Sequence, residues 1–112
     1  MNFSESVIQG MPVIQIKGRI DSSTAKTCED YVLGHVADDR PALILDLSGV
    51  DYVSSAGLRV LVMAAQRAMG LAKGFAVCAL QEDVAEVIEI SGLEDVLNIC
   101  QDVSAAIDSC QG

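Results

Sequence analysis

After Pro41 the chain runs through Ala42-Leu43-Ile44-Leu45 without a polar residue. A strand with one face in water alternates apolar and polar side chains, so an unbroken aliphatic run must be covered on both faces, as in a sheet sandwiched by helices. Such a strand asks the rest of the chain for helices to supply the cover. Hydrophobic residues make up 51% of the 112, enough to offset the ordering entropy of one core, which predicts one domain over residues 1–112.

The flanking segments read in turn as strands and helices. Between Phe3 and Ile20 apolar and polar residues alternate, most clearly in Val13-Ile14-Gln15-Ile16-Lys17, and Gly10-Met11-Pro12 interrupts the alternation, which predicts a β-hairpin. Asp21-Ser22-Ser23-Thr24 offers side-chain acceptors to the unpaired N–H groups of a helix start. Ala25, Cys28, Val32 and Val36, spaced by three, four and four residues, then lie on one helical face, and Asp38-Asp39-Arg40-Pro41 breaks the helix. Beyond the aliphatic run, Leu47 to Val53 reads as a loop or a second short extended piece, and Ser54-Ser55-Ala56-Gly57 opens a second helix. Its inward stripe is Leu58, Leu61, Val62, Ala65 and Met69, with Gly70 as the left-handed residue just past its end. Phe75-Ala76-Val77-Cys78-Ala79 predicts a strand, and Glu82 begins a third helix that turns Val84, Val87 and Ile88 inward and stops at Ser91-Gly92. Val96-Leu97-Asn98-Ile99 predicts a last short strand, and Asp102 or Ser104 opens a terminal helix that buries Val103, Ala106, Ile107 and Cys110. The sum is an α/β fold, a mixed β-sheet flanked by about four helices.

Charge and residue inventory narrow the function. Seven Lys and Arg against 16 Asp and Glu leave a net charge of −9, which repels a nucleic-acid backbone and an anionic membrane surface alike. The opening Met1-Asn2-Phe3-Ser4-Glu5 is polar and acidic, and no stretch approaches the roughly 18 apolar residues of a membrane span, which predicts a cytoplasmic protein. Cys28, Cys78, Cys100 and Cys110 follow one another at gaps of 50, 22 and 10 residues, matching no paired-ligand or redox spacing; they read as reduced, small apolar side chains.

Catalytic motifs are incomplete. Ser55 has Gly57 after it but Val53 where a hydrolase nucleophile elbow needs its first glycine. His35, the single histidine, falls late in the first helix with no positional link to Ser55, and is expected to face solvent. Gly70-Leu71-Ala72-Lys73-Gly74 lacks the order of a phosphate-cradling loop, and one His with scattered Cys makes no metal set. Asp46, at the end of a buried strand, invites comparison with a phosphoacceptor aspartate, but Ile8-Gln9-Gly10-Met11 supplies no acidic metal-binding pair; Asp46 reads as a cap for the following turn. The expectation is a protein that is not an enzyme and that uses no metal or cofactor.

Ser54-Ser55-Ala56-Gly57 stands out against this background. Hydroxyls at a helix N-terminus cap it routinely, yet small Ala56 and Gly57 leave the site open, and a phosphate there is tolerated by the helix dipole. The segment from Leu45-Asp46-Leu47-Ser48-Gly49-Val50 through Asp51-Tyr52-Val53-Ser54-Ser55 to Ala56-Gly57-Leu58-Arg59-Val60-Leu61 resembles the signature of the STAS domain in anti-sigma factor antagonists. Gly18-Arg19-Ile20-Asp21 resembles the family's strand-to-helix Gly-x-x-Asp, and Val87-Ile88-Glu89-Ile90-Ser91-Gly92-Leu93 resembles its later Ser-Gly-Leu segment, so the likeness covers nearly the whole chain.

The resemblance implies a regulator that works by partner switching. In such a system the unmodified protein binds an anti-sigma factor that is also an ATP-dependent serine kinase, and a sigma factor is released. Phosphorylation reverses the binding, and a PP2C-type phosphatase restores it. The family's modified serine precedes the Gly of Ser-x-Gly-Leu by two residues, the position of Ser55; several members carry an acidic residue just before it where this chain has Ser54, which is the alternative acceptor. Asp21 reads as a helix cap, and the resemblance puts it on the partner-facing edge with Ser54, Ser55, Ala56, Gly57 and Arg59. Arg59, four residues after Ser55, is spaced to pair with a phosphate there, a solvated helix arginine being the alternative. The rival function is a non-switching STAS scaffold, a subunit of a transporter or stress complex, which shares the fold without needing Ser55.

Overall fold

The computed structural model describes residues 1–37 and 40–111, the side chain of Gln111 aside; Asp38 and Asp39 of the expected helix break lie outside the described residues. Strands β1 (Asn2–Ile8) and β2 (Met11–Ile20) form the hairpin, with helix α1 (Ala25–Val36) next. Strand β3 (Ala42–Val53), helix α2 (Ser55–Gly70) and strand β4 (Gly74–Cys78) follow. Helix α3 (Glu82–Ile90), the single turn α4 (Glu94–Leu97), the two-residue strand β5 (Ile99–Cys100) and helix α5 (Val103–Gln111) complete the described chain. The sheet has the order β1-β2-β3-β4-β5, with β1 antiparallel to β2 and every other pair parallel.

The aliphatic run is covered on both sides. Leu43 and Leu45 join Ile14, Ile16 and Val77 in a core closed by Cys28, Val32 and Val36 of α1, Leu58, Leu61 and Ala65 of α2, and Val84 and Ile88 of α3. Ala42 and Ile44 point the other way, into a smaller core with Met11, Val13, Ala76 and Cys78 under Ala106 and Ile107 of α5. This division follows from connectivity. The parallel strands β2 to β5 are added in one direction across the sheet, and right-handed crossovers then put α1, α2 and α3 on the same face. The terminal helix is left to cover the other.

Several expectations need correction. The hairpin turn is Gln9-Gly10, both at positive φ (53° and 79°), and Met11 and Pro12 already belong to β2. Pro12 is tolerated because pairing with β3 begins only at Val13, so its missing N–H costs no bond on that side. Leu47 to Val53 is neither a loop nor a separate piece: β3 is one strand of 12 residues, because β2 stays paired with it as far as Val53. In α2 the buried stripe drifts to Val60, Ala64 and Ala68, leaving Val62 half-exposed and Met69 exposed. Gly70 is the last helical residue, and the left-handed residue is Ala72, at φ 57°. Val87 is half-buried, whereas Val84 and Ile88 are buried as expected.

The last expected strand is mostly a helical turn. Glu94 and Asp95 open α4, Leu97 drops into the core, and Asn98 ends the turn in a left-handed conformation with φ 52° and ψ 70°. The Asn98 amide then donates to the Phe75 carbonyl at 3.0 Å, so a side chain makes a bond to β4 that a longer strand would make through its backbone. His35 does not face solvent. Its ring lies against Tyr31, which stacks on Phe3 at 4.2 Å between centroids, and its Nε2 is 3.0 Å from Glu5 Oε2. Glu5 also accepts from Arg40, so the first strand is tied to α1 and to the approach to β3. Cys28 and Cys78 are buried, and burial pushes their thiols up to about 11 and about 12. No helix among the described residues is long and apolar enough to cross a membrane.

The drift of the α2 stripe is testable by urea unfolding. Leu61, fully buried, should lose about 2–5 kcal/mol on substitution Leu61→Ala. Met69→Ala, at a side chain 74% exposed, should stay within about 0.5 kcal/mol of the parent. A large loss at Met69 would restore the stripe expected from the sequence.

Candidate functional site

The strands β2 and β3 outrun the rest of the sheet. Pairing of β3 with β4 stops at Asp46 and Cys78, whereas its pairing with β2 continues to Ile20 and Val53. The chain therefore carries the start of α2 to a corner built by two strand ends, where Asp21 follows Ile20 and Ser54 follows Val53. The Ser54 N–H donates to the Ile20 carbonyl at 2.8 Å, which fixes the corner.

Each residue of Ser54-Ser55-Ala56-Gly57 has its own task there. Ser54 is the N-cap, extended at φ −85° and ψ 176°, and its Oγ accepts from the Gly57 N–H at 3.2 Å. Ser55 is the first helical residue and is exposed, and its hydroxyl has no hydrogen-bond partner among the described residues. Gly57 is buried against the strand ends: a Cβ there would lie 2.6 Å from the Ile20 carbonyl oxygen and 2.9 Å from Val53 Cγ1. Only glycine lets the helix start this close to β2. No acidic side chain occupies the first turn of α2, so the positive end of the helix dipole is uncompensated.

Asp21 acts as a cap one turn ahead of α1. Its Oδ1 accepts from the Ser23 N–H at 2.9 Å, the Ser23 hydroxyl at 2.7 Å and the Thr24 N–H at 3.2 Å, while Thr24 itself makes no side-chain cap. The Ser23 hydroxyl and amide are the main reason that the Asp21 carboxyl is held below its ordinary value of 3.8. Arg19 lies 3.7 Å from the Asp21 carboxylate and stacks over the Tyr52 ring at 4.2 Å, forming an exposed wall at the same corner. Asp46 is buried inside β3, not in a turn: its oxygens accept from the Ser48 N–H at 2.9 Å and from the Gln15 amide at 3.4 Å.

Sequence reasoning missed the groove beside Ser55. Between α1 and α2 runs a depression of about 370 Å3 lined by Ser22, Lys26 and Glu29 on one side and by Ala56 and Arg59 on the other, with Met63 also in its lining. Its signal is the three-four spacing of Lys26 and Glu29 in α1 and of Ala56, Arg59 and Met63 in α2, but no pattern in the sequence states that the two rows face each other. Lys26 is already compensated, at 3.1 Å from Asp30 and 3.4 Å from Glu29. Arg59 is exposed and has no carboxylate partner among the described residues.

Comparison with known proteins agrees with the fold. A sequence profile described as the STAS domain matches residues 3–106. A Bordetella bronchiseptica protein named as an anti-sigma factor antagonist, BtrV, is 31% identical over 106 residues, 95% of this chain and 91% of that protein. The anti-sigma-F factor antagonist RsfB of Mycobacterium tuberculosis is 30% identical over 103 residues, 92% of this chain and 84% of that protein. The crystal structure of an anti-sigma factor antagonist from Mycobacterium paratuberculosis superposes with a TM-score of 0.90 at 28% identity, over 99% of this chain and 94% of that one.

Two outcomes follow from the geometry. Gly57→Ala should cost about 1–3 kcal/mol in denaturant unfolding, because the added methyl meets backbone and the corner cannot yield; an unchanged midpoint would show that the strand ends move freely. The Asp21 carboxyl, followed by carbon NMR, should titrate below 3.8. Its folded value is depressed, so its contribution to stability is present above the unfolded value and fades as pH falls through the folded one. Asp21→Asn should remove that part of the acid dependence.

Proposed function

The chain belongs to the STAS-domain family, and from that membership we propose that it is an anti-sigma factor antagonist switched by phosphorylation of Ser55. In this reading the unmodified protein binds an anti-sigma factor that is also a serine kinase, releasing a sigma factor, and works without catalysis of its own. The kinase transfers the γ-phosphoryl group of ATP to Ser55 Oγ, with ADP and the hydroxyl proton leaving. A PP2C-type phosphatase hydrolyses the ester and returns the active form.

The observation that carries the reading is the division of labour between the two serines. Ser54 Oγ is occupied as the cap of α2, whereas the Ser55 hydroxyl is exposed and unpartnered among the described residues. This favours Ser55 over Ser54 as acceptor. A phosphate at Ser55 adds a charge of about −1.5 to −2 at the positive end of a helix, which favours the modified fold. The same charge buried in an interface costs several kcal/mol unless a cation meets it, which is how modification would release the partner.

Arg59 supports the modified state. Helical side chains lean toward the N-terminus, so a residue at i+4 reaches back over the first turn toward Ser55. Phosphorus NMR of the phosphorylated protein should show the second phosphoserine ionisation shifting upward in Arg59→Ala, since the lost cation had favoured the dianion. An unchanged titration would remove Arg59 from this role.

The test of the function is intact-mass and fragment-ion spectrometry after incubation with ATP and candidate anti-sigma kinases of the same cell, with pulldown of both forms. One phosphate on Ser55, binding by Ser55→Ala and no binding by Ser55→Asp are the expected results. Modification at Ser54 would move the site by one residue. A protein that keeps its partner under both substitutions would be a scaffold instead.

A further inference from the structure

The groove between α1 and α2 begins at Ala56, the residue after Ser55, and is floored by apolar groups that include Ala25, Val60 and Met63. Its two cations differ in a way that matters. Lys26 sits between Asp30 and Glu29 on its own helix, so its charge is spent within the chain. Arg59 has no carboxylate among the described residues, although the chain carries 16 acidic residues against seven Lys and Arg. Glu29, which also lines the groove, is taken up by Lys26, so the exposed Arg59 is the groove cation left available to an anion from outside.

We infer that this groove seats an acidic segment of the anti-sigma partner, with a partner carboxylate on Arg59 and an apolar side chain beside it on the Ala25–Met63 floor, and that a phosphate on Ser55 competes for the same guanidinium. The inference rests on the reading of Ser55 as the modified residue. It adds a physical route for the switch. Arg59 stands four residues after Ser55, within reach of a phosphate on the preceding turn and of the groove alike. It cannot pair fully with both. Phosphorylation then acts twice: it places a charge at the rim of the interface, and it withdraws the cation that holds the partner.

The deciding measurement is equilibrium binding to the anti-sigma factor that retains the Ser55→Ala form, with circular dichroism to confirm the fold of every variant. Arg59→Glu should weaken binding about tenfold or more, the scale of a close interfacial charge pair turned repulsive. Ala25→Phe, which fills the groove from the half-buried start of α1, should weaken it without any change of charge. Arg67→Glu, two turns further along α2, should stay within about twofold, since rim charges act mainly on association rate. Replacement of the engaged partner carboxylate by arginine should restore binding to Arg59→Glu and not to Ala25→Phe. The phosphate should also cost less affinity in Arg59→Ala than in the parent, because there is no longer a shared cation to withdraw.

If Arg59→Glu and Ala25→Phe bind like the parent while Ser55→Asp does not, the groove is wrong and the switch stands. Equal losses in Arg59→Glu and Arg67→Glu would reduce the effect to long-range attraction and overturn the pairing. If Ser55→Asp binds like the parent, the switch reading falls, and with it the competition. The absence of any anti-sigma factor that binds the Ser55→Ala form overturns both.

Discussion

Everything in this fold depends on the need to cover β3 on two sides. It is the longest strand and lies at the centre of the sheet, with Leu43, Leu45 and Leu47 on one face and Ala42 and Ile44 on the other. Strand order then decides how the cover is delivered. Where a parallel sheet reverses the direction in which strands are added, its helices divide between the faces and leave a crevice that binds ligands. Strands β2 to β5 never reverse. The helices that connect them share one face, no crevice of that kind opens, and what remains for function is the surface where helices begin and lie side by side.

The unequal strand lengths choose which part of that surface is presented. Because β4 stops at Cys78, opposite Asp46, the last seven residues of β3 have only β2 for a strand neighbour. The start of α2 is thereby lifted to the corner where Ser55 is exposed. A longer β4 would bring its own connection to α3 alongside. Gly57 and the Ile20 carbonyl set how tightly the corner closes, and Asp21 organises the adjoining turn, so the exposed hydroxyl sits on a closely packed, hydrogen-bonded corner.

What the sequence made legible was local periodicity and the chemistry of short motifs. The three-four spacing of Ala25, Cys28, Val32 and Val36 marked α1 to within its observed ends, and the aliphatic run marked a doubly covered strand. The stripe of α2 was read less well, because Val62 and Met69 are as hydrophobic as Val60 and Ala68; only the neighbours decide which row is buried. Asn98 hid a change of structure, since its left-handed backbone and its amide bond to Phe75 depend on β4 being beside it. At the site, the run of small residues drew attention to Ser54 and Ser55, but their separate roles emerge only from the capping bond. The groove was invisible for a different reason: α1 and α2 are far apart in sequence, and no one-dimensional pattern states which of their faces meet.

The cap supplied by Ser54 has a consequence for timing. Since the helix start is secured by Ser54 and not by Ser55, the capping bond of α2 does not involve the Ser55 hydroxyl. Under the proposed switch α2 would then begin the same way in both chemical states, with no rewinding step between them, and the pace of the change would be left to whatever adds and removes the group.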